Sequence, residues 1–221
     1  TFAPSRPGDA RIVQALEAAL PRGVVEDEFV QCLAGSLGSL GIDGSWEQSI
    51  APAFVDDSFL AVETAVGAFC GGARPNFWSF QTVYDRSSGE EVKLATWLGA
   101  AAWGESEYDL TPMSQELREL ALKHWPEDSD AECRDAAGEQ DYWQFGLNAD
   151  GFNFTPDFPH VMMACKETVT VPWSEIEPYL SNEGKAARAR PGIQRAPKAI
   201  WRAVLPTTQC SLSPWTASHT A

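Results

Sequence analysis

The sequence has few of the residues and motifs on which enzyme chemistry depends. It has three histidines in 221 residues, at positions 124, 160 and 219. It has no G-x-S-x-G nucleophile motif and neither of the glycine-rich patterns that bind phosphate. Its cysteines form no C-x-x-C pair and no Cys/His cluster, so the usual spacing of a zinc site is absent. We therefore expect no metal site and no cofactor.

Long apolar runs and positive charge are also scarce. No run approaches the roughly 18 residues of a spanning helix, so the sequence predicts no membrane span. Lys and Arg number 16 against 31 Asp and Glu, which gives a net charge of −15. Such a chain repels polyanions, so nucleic acid is not an expected partner, whereas a basic protein is attracted at long range. Acidity that serves only solubility is the alternative.

Five cysteines are present, at positions 32, 70, 133, 165 and 210. Two disulfides and one remaining thiol would indicate an oxidising compartment, and five reduced thiols in a cytosolic protein are the alternative. Sequence alone does not fix the pairing. We favour Cys32–Cys70 and Cys133–Cys165, because each closes a loop of about thirty to forty residues beside a predicted hairpin.

Apolar periodicity predicts helices over residues 9–20 and 111–125, while residues 26–40, with three glycines at or near their end, are ambiguous. Alternating patterns predict strands within 54–69, over 77–85 and at 168–171. Asp150-Gly151 between two apolar alternating runs predicts a hairpin. Local turns between strands and helices indicate an α+β fold, with antiparallel sheets packed against a few helices and held by disulfides.

The chain divides into three parts at this level. Residues 1–85 form an N-terminal half of helix plus strands, and residues 86–182 form a C-terminal α+β half of the same compact unit. Residues 183–221 are rich in Gly, Ala, Arg and Pro, with Trp201 and Trp215 as large side chains, and are predicted to be an extended tail.

His160 is the histidine that best fits a catalytic role. It follows Asp157 in the run Pro-Asp-Phe-Pro-His, and a carboxylate so placed can orient an imidazole that acts as a general base. The nearby thiol, Cys165, belongs to a favoured disulfide and so is not available as the nucleophile. His160 and Asp157 are therefore weak catalytic candidates, and we expect a binding domain rather than an enzyme.

Four stretches resemble a known family. Residues 71–76 (GGARPN) precede residues 83–94 (VYDRSSGEEVKL), and residues 145–154 (FGLNADGFNF) precede residues 169–180 (VTVPWSEIEPYL). In order and spacing they resemble the extracytoplasmic domain of unknown function found in the lysozyme-sensing anti-sigma factor of Gram-positive bacteria. The same domain accompanies some peptidoglycan deacetylase domains. The resemblance implies an exported α+β domain, periplasmic or secreted, in a bacterium.

The resemblance also implies recognition of a basic protein such as lysozyme, or of peptidoglycan fragments. The glycine-rich turn and the 150–160 loop are the places where we expect exposed side chains to anchor such a partner. The candidate binding residues are Arg74, Asn76, Phe77, Trp78, Asp150 and His160. A cell-envelope hydrolase that uses His160, and an accessory interaction domain of an envelope complex, are the alternatives.

Overall fold

The computed structural model of the chain describes residues 4–19, 25–41, 44–71, 74–105 and 111–190. The α-helices of these residues are α1 (Asp9–Ala19), α2 (Val25–Leu40), α3 (Gln115–Lys123), α4 (Ala131–Gly138), α5 (Trp173–Ile176) and α6 (Asn182–Arg188). The strands are β1 (Ser45–Val55), β2 (Phe59–Phe69), β3 (Asn76–Asp85), β4 (Glu91–Val92), β5 (Trp143–Leu147), β6 (Gly151–Pro156) and β7 (Val169–Pro172). Short 3-10 helices span Leu94–Trp97, Ala100–Ala102, His160–Cys165 and Glu177–Tyr179.

The first sheet is antiparallel in the order β1-β2-β3-β4. Residues paired across strands point to the same face, and successive residues alternate between faces. Glu63 of β2 pairs with Ala51 and Gln81, so these three share a face. Their neighbour Thr64 pairs with Ile50 on the other face. A bulge between Pro52 and Phe54 shifts the register of the edge strand β1.

Helix α1 covers one face of this sheet. Its Ile12 packs with Ile50, Leu60 and Val62, and all four side chains are almost fully buried. Leu16 of the same helix adds to this cluster, one helical turn after Ile12 on the same helix face. Helix α2 is joined to the end of β2 by a disulfide between Cys32 and Cys70.

The second sheet, β5-β6-β7, carries the main core between it and the first sheet. Asn148 shapes its first hairpin, because its side-chain oxygen accepts hydrogen bonds from the backbone N–H of Asp150 (2.8 Å) and Gly151 (2.9 Å). The inner face of the sheet is apolar and packs against α3, α5 and one end of the first sheet. The buried side chains of this face include Leu147, Phe152, Phe154, Val169 and Val171, and those packed on it include Leu117 of α3 and Ile176 of α5.

A buried ion pair ties the N-terminal segment to the turn after β3. Arg86 donates to both carboxylate oxygens of Asp9, at 2.9 and 2.7 Å, and to the Ser5 hydroxyl at 3.0 Å. The Asp9 side chain is 0% exposed and the Arg86 side chain 7%. Gly89 lies in the same turn with φ +77°, and a Cβ at this position would lie 2.7 Å from the Gly8 carbonyl oxygen. The turn and the start of α1 therefore fit only with glycine there.

Two aspartates make the fold sensitive to acid. Burial alone would raise the pKa of Asp9, but the hydrogen bonds from Arg86 and from the backbone N–H of Ser5 and Arg6 outweigh it, so the pKa lies below its usual value. Hydrogen bonds from Arg190 likewise hold the pKa of Asp85 below its usual value.

The stability of the fold should therefore decrease as the pH decreases in the acid range. A carboxyl whose folded pKa is depressed contributes its full stability above its unfolded pKa, about pH 4, and loses it as pH falls through the folded pKa. We expect the free energy of unfolding by urea, followed by tryptophan fluorescence, to decrease steeply below about pH 4. The variant Asp85→Asn should show a shallower decrease, and an unchanged pH profile in that variant would contradict this assignment.

The α+β class, the antiparallel sheets and both favoured disulfides are confirmed, the second joining Cys133 to Cys165. The predicted boundary of the tail is wrong for residues 183–190, because α6 continues the fold and buries Gly184 and Ala187. The rest of the predicted tail, residues 191–221, lies outside the described residues. Within the described chain, no helix is both long and apolar enough to span a membrane.

Candidate functional site

One face of the first sheet is only half covered. At one end of this face, near Phe59, the second sheet covers the first. Ala61 is paired there with Phe54 on β1 and Val83 on β3, and all three side chains belong to the main core. Farther along the same face the covering ends, and an open groove of about 570 Å³ begins. It is lined by Glu47, Gln48, Ser49, Glu63, Ala65, Val66, Gly67, Phe77, Trp78, Ser79 and Met163.

Phe77 is the exposed aromatic side chain of the groove. It pairs with Gly67 across β2 and β3, and a Cβ on Gly67 would lie 3.0 Å from Cε1 of the Phe77 ring. The ring therefore lies over the glycine, which leaves room for it. The Phe77 residue is nonetheless 57% exposed. An exposed ring on a rigid strand is the type of residue that forms the centre of many protein interfaces.

Trp78 has a different role from its neighbour. Strand alternation places its side chain on the opposite face of the sheet from that of Phe77. There its ring lies 5.4 Å from the ring of Trp46, at an interplanar angle of 76°. Edge-to-face contact of this kind stabilises the packing of the two rings. Trp78 therefore supports the strand at the groove, while the Phe77 ring lies exposed within the groove.

Two carboxylates lie on the groove face, Glu47 on β1 and Glu63 on β2. Both residues are exposed. Within the part of the chain that the structure describes, neither forms a salt bridge (Arg6, Arg11, Arg86, Arg118, His124, Arg188 and Arg190 form the ion pairs seen there). Lys166 lies near enough to Glu63 to interact with its charge, but it forms no salt bridge with it. Carboxylates without a salt bridge attract a cation from outside, and an aromatic ring on the same face adds a cation–π surface. The groove therefore has the chemistry to accept a basic side chain with an apolar stem.

The 3-10 helix His160–Cys165 and the residue after it close one end of the groove. Lys166 donates a hydrogen bond to the carbonyl oxygen of Ser79 at 2.7 Å, and its Nζ lies 3.5 Å from the side-chain oxygen of Gln144. Burial lowers the pKa of Lys166, and the nearby Asp157 and Glu63 carboxylates partly offset this effect. The disulfide to Cys133 holds the same segment from its other side.

No family model and no curated protein matches the chain in sequence, whereas solved structures with a weak overall likeness were found. A crystal structure from Pseudomonas aeruginosa has 14% sequence identity and a TM-score of 0.49, over 79% of this chain and 77% of that chain. A crystal structure from Bacteroides fragilis has 13% identity and a TM-score of 0.48, over 84% of this chain and 75% of that one. Both are described as DUF3298 family proteins.

These similarities concern proteins of a domain-of-unknown-function family, so they name no ligand for the groove. The link to an anti-sigma factor and to lysozyme stays a prediction.

The predicted binding residues are spread over the molecule. Phe77 and Trp78 line the groove, whereas Arg74 and Asn76 are exposed in the chain just before them and outside its lining. Asp150 lies at the β5–β6 turn, at the opposite end of that hairpin from Asp157. The backbone of His160 begins the 3-10 helix that provides Met163 to the groove, but its side chain lies outside the described part of the chain.

The proposed catalytic pair has only one described side chain. Asp157 is exposed, and its carboxylate accepts a hydrogen bond from the Gln144 side chain at 3.2 Å. Cys165 is bonded to Cys133 and so cannot act as a thiolate nucleophile. The hydrolase that uses His160 stays a hypothesis, and no contact among the described residues adds to it.

The residues that sequence reasoning missed are those of β1 and the carboxylate of β2. Residues 46–51 (WEQSIA) alternate between larger side chains at even positions and smaller or acidic ones at odd positions. This weak period of two is a strand signal, and it would have placed Glu47 and Ser49 on one face. Glu63 was recognised as a strand residue, but its pairing with β1 depends on a hairpin at residues 56–58 that the pattern does not reveal.

Proposed function

We propose that this chain is a non-catalytic binding domain of the bacterial cell envelope that recognises a basic protein through the groove. The observation that supports this most directly is that the exposed Phe77 ring shares one groove with two exposed carboxylates, Glu47 and Glu63, that form no salt bridge among the described residues. Lys and Arg side chains of the partner enter the groove, where their charges meet the carboxylates and the stem of one packs on the Phe77 ring. The net charge of −15 adds long-range attraction for the same class of partner.

Lysozyme is the probe of choice for this proposal because it is basic and because the sequence resemblance implies it. The two disulfides support an oxidising, extracytoplasmic location, since such bonds are rare in the cytosol. The polar lining of the groove includes Ser49, Ser79 and Gln48. Soluble peptidoglycan fragments are therefore the second probe.

We expect hen egg-white lysozyme to bind the chain with an affinity that falls between about 50 and 200 mM salt, because charge pairs contribute to both encounter and binding. The double variant Glu47→Gln with Glu63→Gln should weaken binding about tenfold or more, and so should Phe77→Ala. A tenfold loss corresponds to about 1.4 kcal/mol of binding free energy. Titration calorimetry at both salt concentrations measures these effects.

Matched controls separate the groove from general charge and hydrophobicity. Glu91→Gln with Glu183→Gln changes the net charge equally, and Glu91 pairs with Tyr84 near the other end of the sheet. Phe80→Ala removes another exposed ring, 44% exposed, from the opposite sheet face. Both controls should bind nearly as the parent does. Equal losses in controls and groove variants, or binding of peptidoglycan fragments with none of lysozyme, would reject the basic-protein proposal.

A further inference from the structure

The C-terminal 31 residues of the chain have a charge opposite to that of the groove. Residues 191–221 contain Arg195, Lys198 and Arg202 and no acidic residue, so all 31 Asp and Glu of the chain precede them. Apolar residues, Ile200 and Trp201 among them, are interleaved with the three cations. A segment that alternates cations and apolar side chains has the composition of the partner that the groove was argued to accept.

The last described residue places the start of this segment on the groove-bearing sheet. Arg190 binds the Asp85 carboxylate through Nη1 at 2.5 Å and Nη2 at 3.2 Å. Its guanidinium lies 4.6 Å from the centre of the Phe59 ring. Phe59 and Asp85 are paired, and they share a sheet face with Glu63, Gly67 and Phe77. The segment therefore leaves the fold at one end of the strands whose other end forms the groove.

The chain beyond Arg190 is long enough to reach the groove. Glu63 lies four residues along β2 from Phe59, about 14 Å, and Gly67 lies eight residues along, about 27 Å. Extended chain covers up to about 3.5 Å per residue, so Arg195 can reach about 17 Å from Arg190 and Arg202 about 40 Å. The Arg202 reach exceeds the direct distance to the Phe77 end by about 13 Å, and Lys198, eight residues beyond Arg190, reaches about 28 Å, twice the direct distance to Glu63. This excess leaves length for the path around the second sheet.

We propose that residues 193–205 of the same molecule bind in the groove, with the basic side chains on Glu47 and Glu63 and Trp201 on the Phe77 ring. This inference rests on the same groove as the proposed function and adds a regulation to it. An attached ligand acts at an effective concentration in the millimolar range, so it occupies even a weak site. An external basic partner then binds only the fraction of molecules whose groove is open, and its apparent affinity falls by that fraction.

The test uses Cys210, which belongs to neither disulfide, as the attachment point for a nitroxide on the full chain. We expect the nitroxide to broaden the backbone NMR signals of β1, β2 and β3 at the groove. The tail variant Arg195→Glu, Lys198→Glu, Arg202→Glu should abolish the broadening, and so should Glu47→Gln with Glu63→Gln. The control pair Glu91→Gln with Glu183→Gln should keep it.

Binding of lysozyme gives a second and separate readout. If the tail occupies the groove, the tail variant should bind lysozyme several-fold more tightly than the parent. Broadening at the groove of the parent, with no lysozyme binding by the tail variant, would support the tail contact and reject the proposed function. Lysozyme binding with no broadening at the groove would support the proposed function and reject the tail contact.

Three results would overturn the inference. One is the absence of groove broadening in the parent chain. Another is broadening that persists in the groove variant or disappears in the control pair. The third is broadening of an isotope-labelled Cys210→Ser chain mixed with unlabelled nitroxide-bearing chain, which would place the tail of a second copy in the groove instead.

Discussion

Replacing Arg86 with methionine is expected to lower the free energy of unfolding by about 3–5 kcal/mol, the largest effect of any single substitution considered for this chain. The reason is the Asp9 carboxylate, which is 0% exposed and would remain buried without its cation. Arg86 also bonds Ser5 and donates a hydrogen bond to the carbonyl oxygen of Asp56, so its loss frees the segment before α1 from the β3–β4 turn. Urea unfolding followed by tryptophan fluorescence measures the loss.

A second variant distinguishes the unpaired charge from the lost packing. Asp9→Leu combined with Arg86→Met removes both charges and keeps apolar volume in the site. The double variant should be more stable than the sum of the two single losses predicts, because the cost of an unpaired buried charge then disappears. Strict additivity would mean that the two side chains stabilise the fold independently, and the ion-pair account would be wrong. The surface pair of Arg11 with Glu90 is the comparison, since exposed pairs contribute about 0–1 kcal/mol.

Removing the Cys32–Cys70 disulfide, by Cys32→Ala with Cys70→Ala, should lower stability by about 4 kcal/mol on the chain-entropy estimate for a loop of its length, 38 residues. Cys133→Ala with Cys165→Ala should lower it by nearly as much, because its loop is 32 residues. Thermal and urea unfolding of both variants, each under oxidising conditions, measure the losses. Losses well below 1 kcal/mol in both would contradict the chain-entropy estimate and indicate that the unfolded chain retains structure without these bonds.

The two disulfide variants should differ in binding although they resemble each other in stability. Cys165 ends the 3-10 helix that carries Met163 and precedes Lys166, so its bond holds one end of the groove. Cys32 joins α2 to the end of β2 and provides no groove side chain. Loss of the Cys133 bond should therefore weaken lysozyme binding in the folded protein, and loss of the Cys32 bond should have a smaller effect. The reverse order would indicate that α2 is part of the binding surface.

The sequence predicted elements well where their signal is local. The stripe of Ile12 and Leu16 fixed α1, and Asp150-Gly151 fixed the β5–β6 hairpin, because each pattern lies within one element or turn. The favoured disulfide pairing, chosen for its loop lengths beside a predicted hairpin although sequence alone did not fix it, is also the one observed. By contrast, α2 was ambiguous because Gly35 and Gly38 weaken its intrinsic helix propensity, and the bond to Cys70 fixes it through tertiary contact instead.

The candidate site was predicted only in part because it is formed by strand pairing. Phe77 was found as an aromatic residue after a glycine-rich turn, which is a local signal. Glu47 and Glu63 meet it only through the register of β1 on β2 and of β2 on β3. A shift of one residue in either pairing would move these side chains to the other face, and no single segment encodes that register. The alternation of side chains along β3 also places Phe77 and Trp78 on opposite faces of the sheet, although both were predicted from the sequence as candidate binding residues.

The bulge at Pro52 has a consequence for how the molecule meets other chains. β1 is the outer strand of its sheet, and a long straight outer strand invites another strand to add to it. Pro52 has no N–H to donate to an added strand, and the register shift beside it twists the edge so that regular strand pairing is interrupted. Fibril growth and sheet-to-sheet association along this edge are thereby disfavoured. Recognition on this half of the molecule is left to side chains, which discriminate between partners in a way that backbone pairing does not.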